Sequence, residues 1–133
     1  MMKQDKELLL KDLCARLPYG IKASYYSAEE DCETWDEIGC ITFDGYVEIG
    51  QYSLSIESIK PYLFPLSSMT EEQKKEYDKV GELDTEILSK HPMDGTPFPA
   101  LYNSQDWLNK NHFDYRGLIS MDLAIDATGL DIY

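Results

Sequence analysis

The stretch Glu37–Ile56, EIGCITFDGYVEIGQYSLSI, holds three apolar runs separated by turn residues. Glu37–Phe43 and Tyr46–Ile49 are rich in Ile, Val and aromatic side chains, and Asp44-Gly45 stands between them. Asp-Gly in that position is a strong short-range hairpin signal, because both turn residues must tolerate positive φ. Gly50-Gln51 predicts a second turn. Beyond it Tyr52, Leu54 and Ile56 alternate with Ser53, Ser55 and Glu57, the pattern of a half-buried strand.

Upstream, Ile21–Tyr26 is a further strand candidate, followed by an acidic loop over Glu29–Thr34. Residues 20–57 therefore read as an antiparallel β-meander of three or four strands, for which a partly closed, SH3-like barrel is one form. Before it, residues 5–17 read as an amphipathic helix. Leu9, Leu13 and Leu17 recur every fourth residue beside Leu10 and Cys14, Lys6, Lys11, Asp12 and Arg16 take the other side, and Pro18 stops the helix.

After the meander, Pro61 and Pro65 argue against a regular helix or a central strand, so residues 58–68 read as an irregular apolar connector. Residues 69–89 read as the longest helix. Ser68 with Glu71 and Thr70 with Gln73 offer overlapping capping boxes, and Tyr77, Val80, Leu83, Ile87 and Leu88 make its apolar stripe. Pro92, Pro97 and Pro99 make 91–100 a loop. A short helix is expected from Asn103 or Ser104 with Trp107 and Leu108 inward. A last helical turn is expected from near Asp114, burying Leu118, Ile119 and Leu123. The expected fold class is a single α+β domain over residues 1–133. A small antiparallel meander packs against an N-terminal helix, a long central helix and a short C-terminal helical segment.

A chain of 133 residues, 43% hydrophobic and 28% charged, can bury a core and is not disordered by composition. Its 25 acidic and 12 basic residues give a net charge of −13. That balance excludes direct nucleic-acid binding, which needs Lys and Arg to replace phosphate counterions. It equally excludes attraction to an anionic membrane. The Leu8–Leu10 run is too short for a signal-peptide core, and no apolar stretch approaches a membrane span, so a cytoplasmic protein is expected. Three cysteines, Cys14, Cys32 and Cys40, are no disulfide framework and lack zinc-site spacing, and are expected as buried, reduced thiols.

Between Lys22 and Lys60 there is no lysine or arginine, yet the interval holds nine acids and so carries nine of the thirteen units of net charge. It also holds Tyr25, Tyr26, Trp35, Phe43, Tyr46 and Tyr52. Such a segment is either a solvated face that keeps the chain soluble or a docking surface for a basic protein. In the second case Glu29, Glu30, Asp31, Glu33, Asp36 and Glu37 steer the partner, and Trp35, Tyr46 or nearby tyrosines anchor it. A sharper alternative is a mimic of nucleic acid that inhibits a host DNA- or RNA-binding or defence protein; it requires carboxylates in an ordered row. Calcium of the EF-hand kind is not expected, since the sixth position from Asp31 is Asp36 and not Gly.

The place where His, Asp, Tyr and Arg crowd together is Asn111–Arg116. An Asp beside a His can orient the imidazole for base catalysis, so His112, Asp114 and Arg116 define an enzyme alternative. The competing reading is packing, with Asp114 capping the last helix and Arg116 paired to a carboxylate. Asp122 and Asp126, four apart, could share a divalent ion on a helix face. No glycine-rich phosphate loop, HExxH or GxSxG is present, and no cofactor is expected.

Lys60–Glu72 (KPYLFPLSSMTEE) resembles a block of small uncharacterised proteins from gut anaerobic bacteria and their phages. Asp106–Ile119 (DWLNKNHFDYRGLI) resembles a second block of the same proteins, and Leu13–Gly20 (LCARLPYG) is similar to their N-terminal segment. Together the blocks cover about a quarter of the chain. The family has no assigned activity, so the resemblance implies a context, a phage or mobile-element accessory protein. The acidic segment lies outside the blocks. The expected function is a non-catalytic, acidic protein-interaction module with a basic protein partner.

Overall fold

The structure, a computed structural model, describes residues 2–90 and 103–133, with the backbone alone described for residues 82–90 and 103. Its elements are α1 (Lys3–Arg16), β1 (Lys22–Ser27), β2 (Cys32–Ile41), β3 (Tyr46–Ile49), β4 (Tyr52–Ser55), β5 (Ile59–Pro65), α2 (Glu71–Lys90), α3 (Asn103–Lys110), β6 (Phe113–Asp114) and β7 (Ile125–Asp126). The fold is mixed α+β. The strands form one mostly antiparallel sheet in the order β4-β3-β2-β1-β5-β6, with β7 also on β5. The sheet is open: no pairing among the described residues joins β4 to β6, and the SH3-like barrel is not reproduced.

The meander stands as β1–β4, with different turn chemistry from that expected. Gly45 alone of the Asp44-Gly45 pair has positive φ, at 88°. Thr42 N–H donates to Tyr46 O and Gly45 N–H to Thr42 O, so the loop has three residues and ends in a left-handed glycine. The Gly50-Gln51 turn links the paired residues Ile49 and Tyr52, with Gly50 at φ 57°. The acidic loop is shorter than expected. Only residues 28–31 turn, and Cys32, Glu33 and Thr34 already pair with β1.

The connector is a strand. β5 lies between β1 and the pair β6 and β7, despite Pro61 and Pro65. The neighbours are staggered: β1 pairs with Ile59–Pro61, β7 with Tyr62 and Leu63, and β6 with Phe64 and Pro65. Each β5 residue thus has one partner, and a proline without its N–H need not serve two ladders at once.

The main core joins Leu9 and Leu13 of α1 to Ile21, Ala23, Ile38, Val47, Ile49, Ile59 and Leu63 of the sheet region, and to Leu118 and Leu123. A satellite core of Trp107, Leu108 and Phe113 takes Met69, Tyr77 and Val80, with the Tyr77 and Trp107 rings 5.5 Å apart. α2 therefore packs on α3, where the sequence had placed it on the sheet. The Thr70–Gln73 capping box forms in both directions: Gln73 N–H donates to Thr70 Oγ1 at 3.2 Å and Thr70 N–H to Gln73 Oε1 at 2.9 Å. Ser68 turns back to Pro65 O instead of capping. Side chains of Leu83, Ile87 and Leu88, and the loop over 91–100, lie outside the described residues. The expected last helix is a non-helical turn. Asp114 caps it by accepting from the N–H groups of Leu118 and Ile119, both at 2.9 Å, and Leu118 and Leu123 are buried.

Candidate functional site

The β1–β2 hairpin sorts its side chains by the period of two. Lys22 opposite Glu37, Ser24 opposite Trp35 and Tyr26 opposite Glu33 share one face. Ala23, Tyr25 and Ser27 turn the other way and are buried. The inner face is tied to β4. Tyr25 and Tyr52 rings lie 5.7 Å apart, and the Tyr52 hydroxyl sits 3.2 Å from Ser27 Oγ and accepts from Glu29 N–H at 3.3 Å. Hydrogen bonds from Ser27, Gln51 and Glu29 hold the Tyr52 hydroxyl pKa below its usual value.

The outer face is open. Tyr26 is 52% exposed and Trp35 44% exposed, flanked by the exposed carboxylates of Glu33 and Glu37. Tyr26 donates its hydroxyl proton to Asp31, and that bond raises its pKa. Among the described residues the cations of this face are Lys60, opposite Ser24 on β5 and paired with Asp122 at 2.9 Å, and Lys22, which is also engaged. The Lys22 Nζ lies 5.2 Å from the Trp35 ring centroid and donates to Ile132 O at 2.8 Å.

The expected docking residues are thus only partly brought together. Glu33, Trp35 and Glu37 share the outer face. Glu29, Glu30 and Asp31 form the adjoining turn, with Asp31 at φ 51° and Glu29 accepting from Gln51 Nε2 at 2.7 Å. Asp36 points to the opposite face, because it is out of phase with Trp35 by one residue, and accepts Glu37 N–H at 2.7 Å. Tyr46 does not belong with them. It lies at the far end of β2, on a cleft of about 360 Å³ lined by Lys3, Lys6, Leu10 and Phe43. Two exposed aromatics are not singled out in the expected set. Tyr26 is covered there only as one of several nearby tyrosines, and the register opposite Glu33 singles it out; Phe43, fully exposed, could have been found from its position inside a turn.

The His112 cluster is structural in its contacts. His112 is buried at φ 62° and stacks on Tyr133, ring centroids 3.8 Å apart. Its Nδ1 is buried and has no hydrogen-bond partner. Burial first, then the positive charges of Arg16 and Lys22, push its pKa down to about 4. The Asp114 carboxylate is occupied by backbone amides. Arg116 Nε pairs with Asp12 Oδ1 at 3.1 Å. Arg16 also reaches Asp12, Nε to Oδ2 at 2.8 Å, and its Nη2 donates to Phe113 O at 2.6 Å. Both arginines of the chain therefore converge on one carboxylate, and Asp12 and Arg16 are fully buried, not on the solvent side of α1. Rotation of α1 to bury this pair also leaves Cys14 exposed. Cys32 and Cys40 are exposed too, so the expectation of buried thiols is overturned.

Among the described residues no cluster of three or more His, Cys, Asp or Glu is placed to hold a metal ion. Asp122 pairs with Lys60 at 2.9 Å, Asp126 accepts from Thr128 N–H at 2.9 Å, and neither lies on a helix. No described helix is long and apolar enough to cross a membrane. Compared with known proteins, the chain matches no family model, no curated protein and no solved structure.

Proposed function

We propose that this protein is a non-catalytic interaction module that captures a basic protein partner through the acidic outer face and turn of the β1–β2 hairpin. The observation that carries this reading is the exposure of Tyr26 and Trp35 beside Glu33 and Glu37, with Lys22 and Lys60 of the same face already engaged. Rigid aromatic area beside uncompensated carboxylates suits a cationic surface: the field raises the encounter rate, and the rings supply buried area. The anchoring role passes from Tyr46 to Tyr26, because Tyr46 lies elsewhere. The sequence blocks resembling gut-bacterial and phage proteins imply a phage or mobile-element accessory role.

Nucleic-acid mimicry is less favoured. It needs one ordered row of charge, and here the acids alternate between two faces and a turn. An enzyme built on His112, Asp114 and Arg116 is also less favoured, since Asp114 and Arg116 spend their polar groups on internal partners and His112 is buried against Tyr133.

The test is affinity capture from bacterial lysate at low and high salt, beside a variant carrying Lys at positions 29, 30, 31 and 33. A basic protein bound by the parent, weakened by salt and lost with the variant is the expected result. Capture unchanged by charge reversal overturns the reading.

A further inference from the structure

In antiparallel pairing, hydrogen-bonded and non-bonded residue pairs alternate along the strand. Ile38 N–H donates to Ile21 O at 2.9 Å, which makes Ile21 and Ile38 a bonded pair. Continuing the observed register, Ala23 with Asp36, Tyr25 with Thr34 and Ser27 with Cys32 are bonded too. The backbone groups of Glu33 and Trp35 therefore point away from β1. On that side β3 pairs with β2 only at Ile38, Cys40 and Ile41, and the chain then turns back at Gly50-Gln51 to form β4. Among the described residues, β2 is thus a central strand in its second half and an edge strand in its first. Cys32, Glu33, Trp35 and Asp36 are all exposed along this edge.

An open edge is a template for another strand. Its side chains select which one. β2 carries Glu33, Asp36 and Glu37 and no lysine or arginine, and Glu29, Glu30 and Asp31 stand at its beginning. A second copy of this chain is a poor occupant. Antiparallel pairing of two edges about Trp35 would set Glu33 of each copy opposite Glu37 of the other, and like charges placed opposite are destabilising. An extended segment with lysine or arginine at alternate positions instead meets Glu33 and Glu37 on one face and can lay a cation on the Trp35 ring.

We infer that the edge of β2 at Glu33 and Trp35 takes up an extended, lysine- or arginine-bearing segment of a partner protein as an added strand. The inference rests on the interaction reading above and names its mode. The acids then do two things: they reject copies of this chain, and they admit a basic strand.

The experiment uses the whole protein, isotope-labelled, and three short peptides. One alternates lysine and valine, one has the same sequence with alternate backbone nitrogens methylated, and one alternates glutamate and valine. The lysine peptide is expected to slow hydrogen exchange at the Glu33 and Trp35 amides. The methylated peptide keeps the charge but loses backbone donors, and should bind at least about tenfold more weakly. The glutamate peptide should not bind. Equal binding of the two lysine peptides without protection of those amides overturns strand addition and leaves the docking reading standing. No binding of the lysine peptide also overturns strand addition, while the capture experiment decides the docking reading by itself. Protection that rises with protein concentration alone would assign the edge to a second copy and overturn the inference.

Discussion

Charge crowds in two regions of this molecule, with opposite outcomes. Around Asp12 a carboxylate and two guanidinium groups meet inside the protein, Asp12 and Arg16 fully buried, tying α1 to the segment Phe113–Arg116 about a hundred residues away. Along the β1–β2 hairpin six acids lie exposed on its strand and turn, and the nearby lysines Lys22 and Lys60 are engaged with Ile132 O and Asp122. Burial of charge is tolerated where each ion finds geometrically matched partners, and is avoided where none is within reach. The first region holds the fold; the second is free to meet another molecule.

The largest expected effect strikes the first region. Asp12→Ala leaves two arginines facing a missing anion, one of them fully buried, and should cost about 3–5 kcal/mol. Urea unfolding measures it, and a loss under about 1 kcal/mol would break the contrast, because such a pair would behave like a surface one. Next comes the pH response of His112. Its folded pKa is about 4 against an ordinary 6.5, so the folded state favours the neutral ring. Stability from this group is whole above about pH 6.5, falls as pH drops towards 4, and has a ceiling of about 3 kcal/mol. His112→Asn, which tolerates the left-handed backbone, should flatten the fall over that window in urea midpoints taken at several pH values.

A local term sets the scale for both. Thr70→Ala removes half of the capping box and should lower stability by about 1 kcal/mol, read from the thermal midpoint. Smallest of all is the hairpin. Replacing Glu30 and Glu33 by Lys, which leaves Asp31 at its positive φ and the Gln51–Glu29 bond in place, should change stability by no more than about 0.5 kcal/mol while sharply weakening capture of the basic partner. A large stability loss there would make the acids part of the fold and erase the difference between the regions.

Much of the secondary structure was legible. The meander, the stop at Pro18, the Thr70–Gln73 box and the inward Trp107 and Leu108 all follow from local patterns, since turn chemistry and capping act within a few residues. The largest failures share a cause, long-range partners. Pro61 and Pro65 looked incompatible with a strand because the staggering of β1, β6 and β7 is invisible along the chain. Asp12 and Arg16 looked solvent-facing because Arg116 and Phe113 O, which make their burial tolerable, are far away in sequence. Of the candidate site, charge and composition were readable, but grouping was not. Asp36 and Tyr46 fell out of it, Tyr26 entered, and only the register of β1 against β2 decides that.

By itself the sequence determined a folded acidic α+β chain, its hairpin turns, and a stretch of nine acids without a cation, because these depend on residue type and neighbours along the chain. The tertiary structure decided which charges are buried and which exposed, and that β2 is half central and half edge. Those outcomes depend on where strands end against one another and on whether a distant arginine arrives beside a carboxylate. Local propensity carries no record of either.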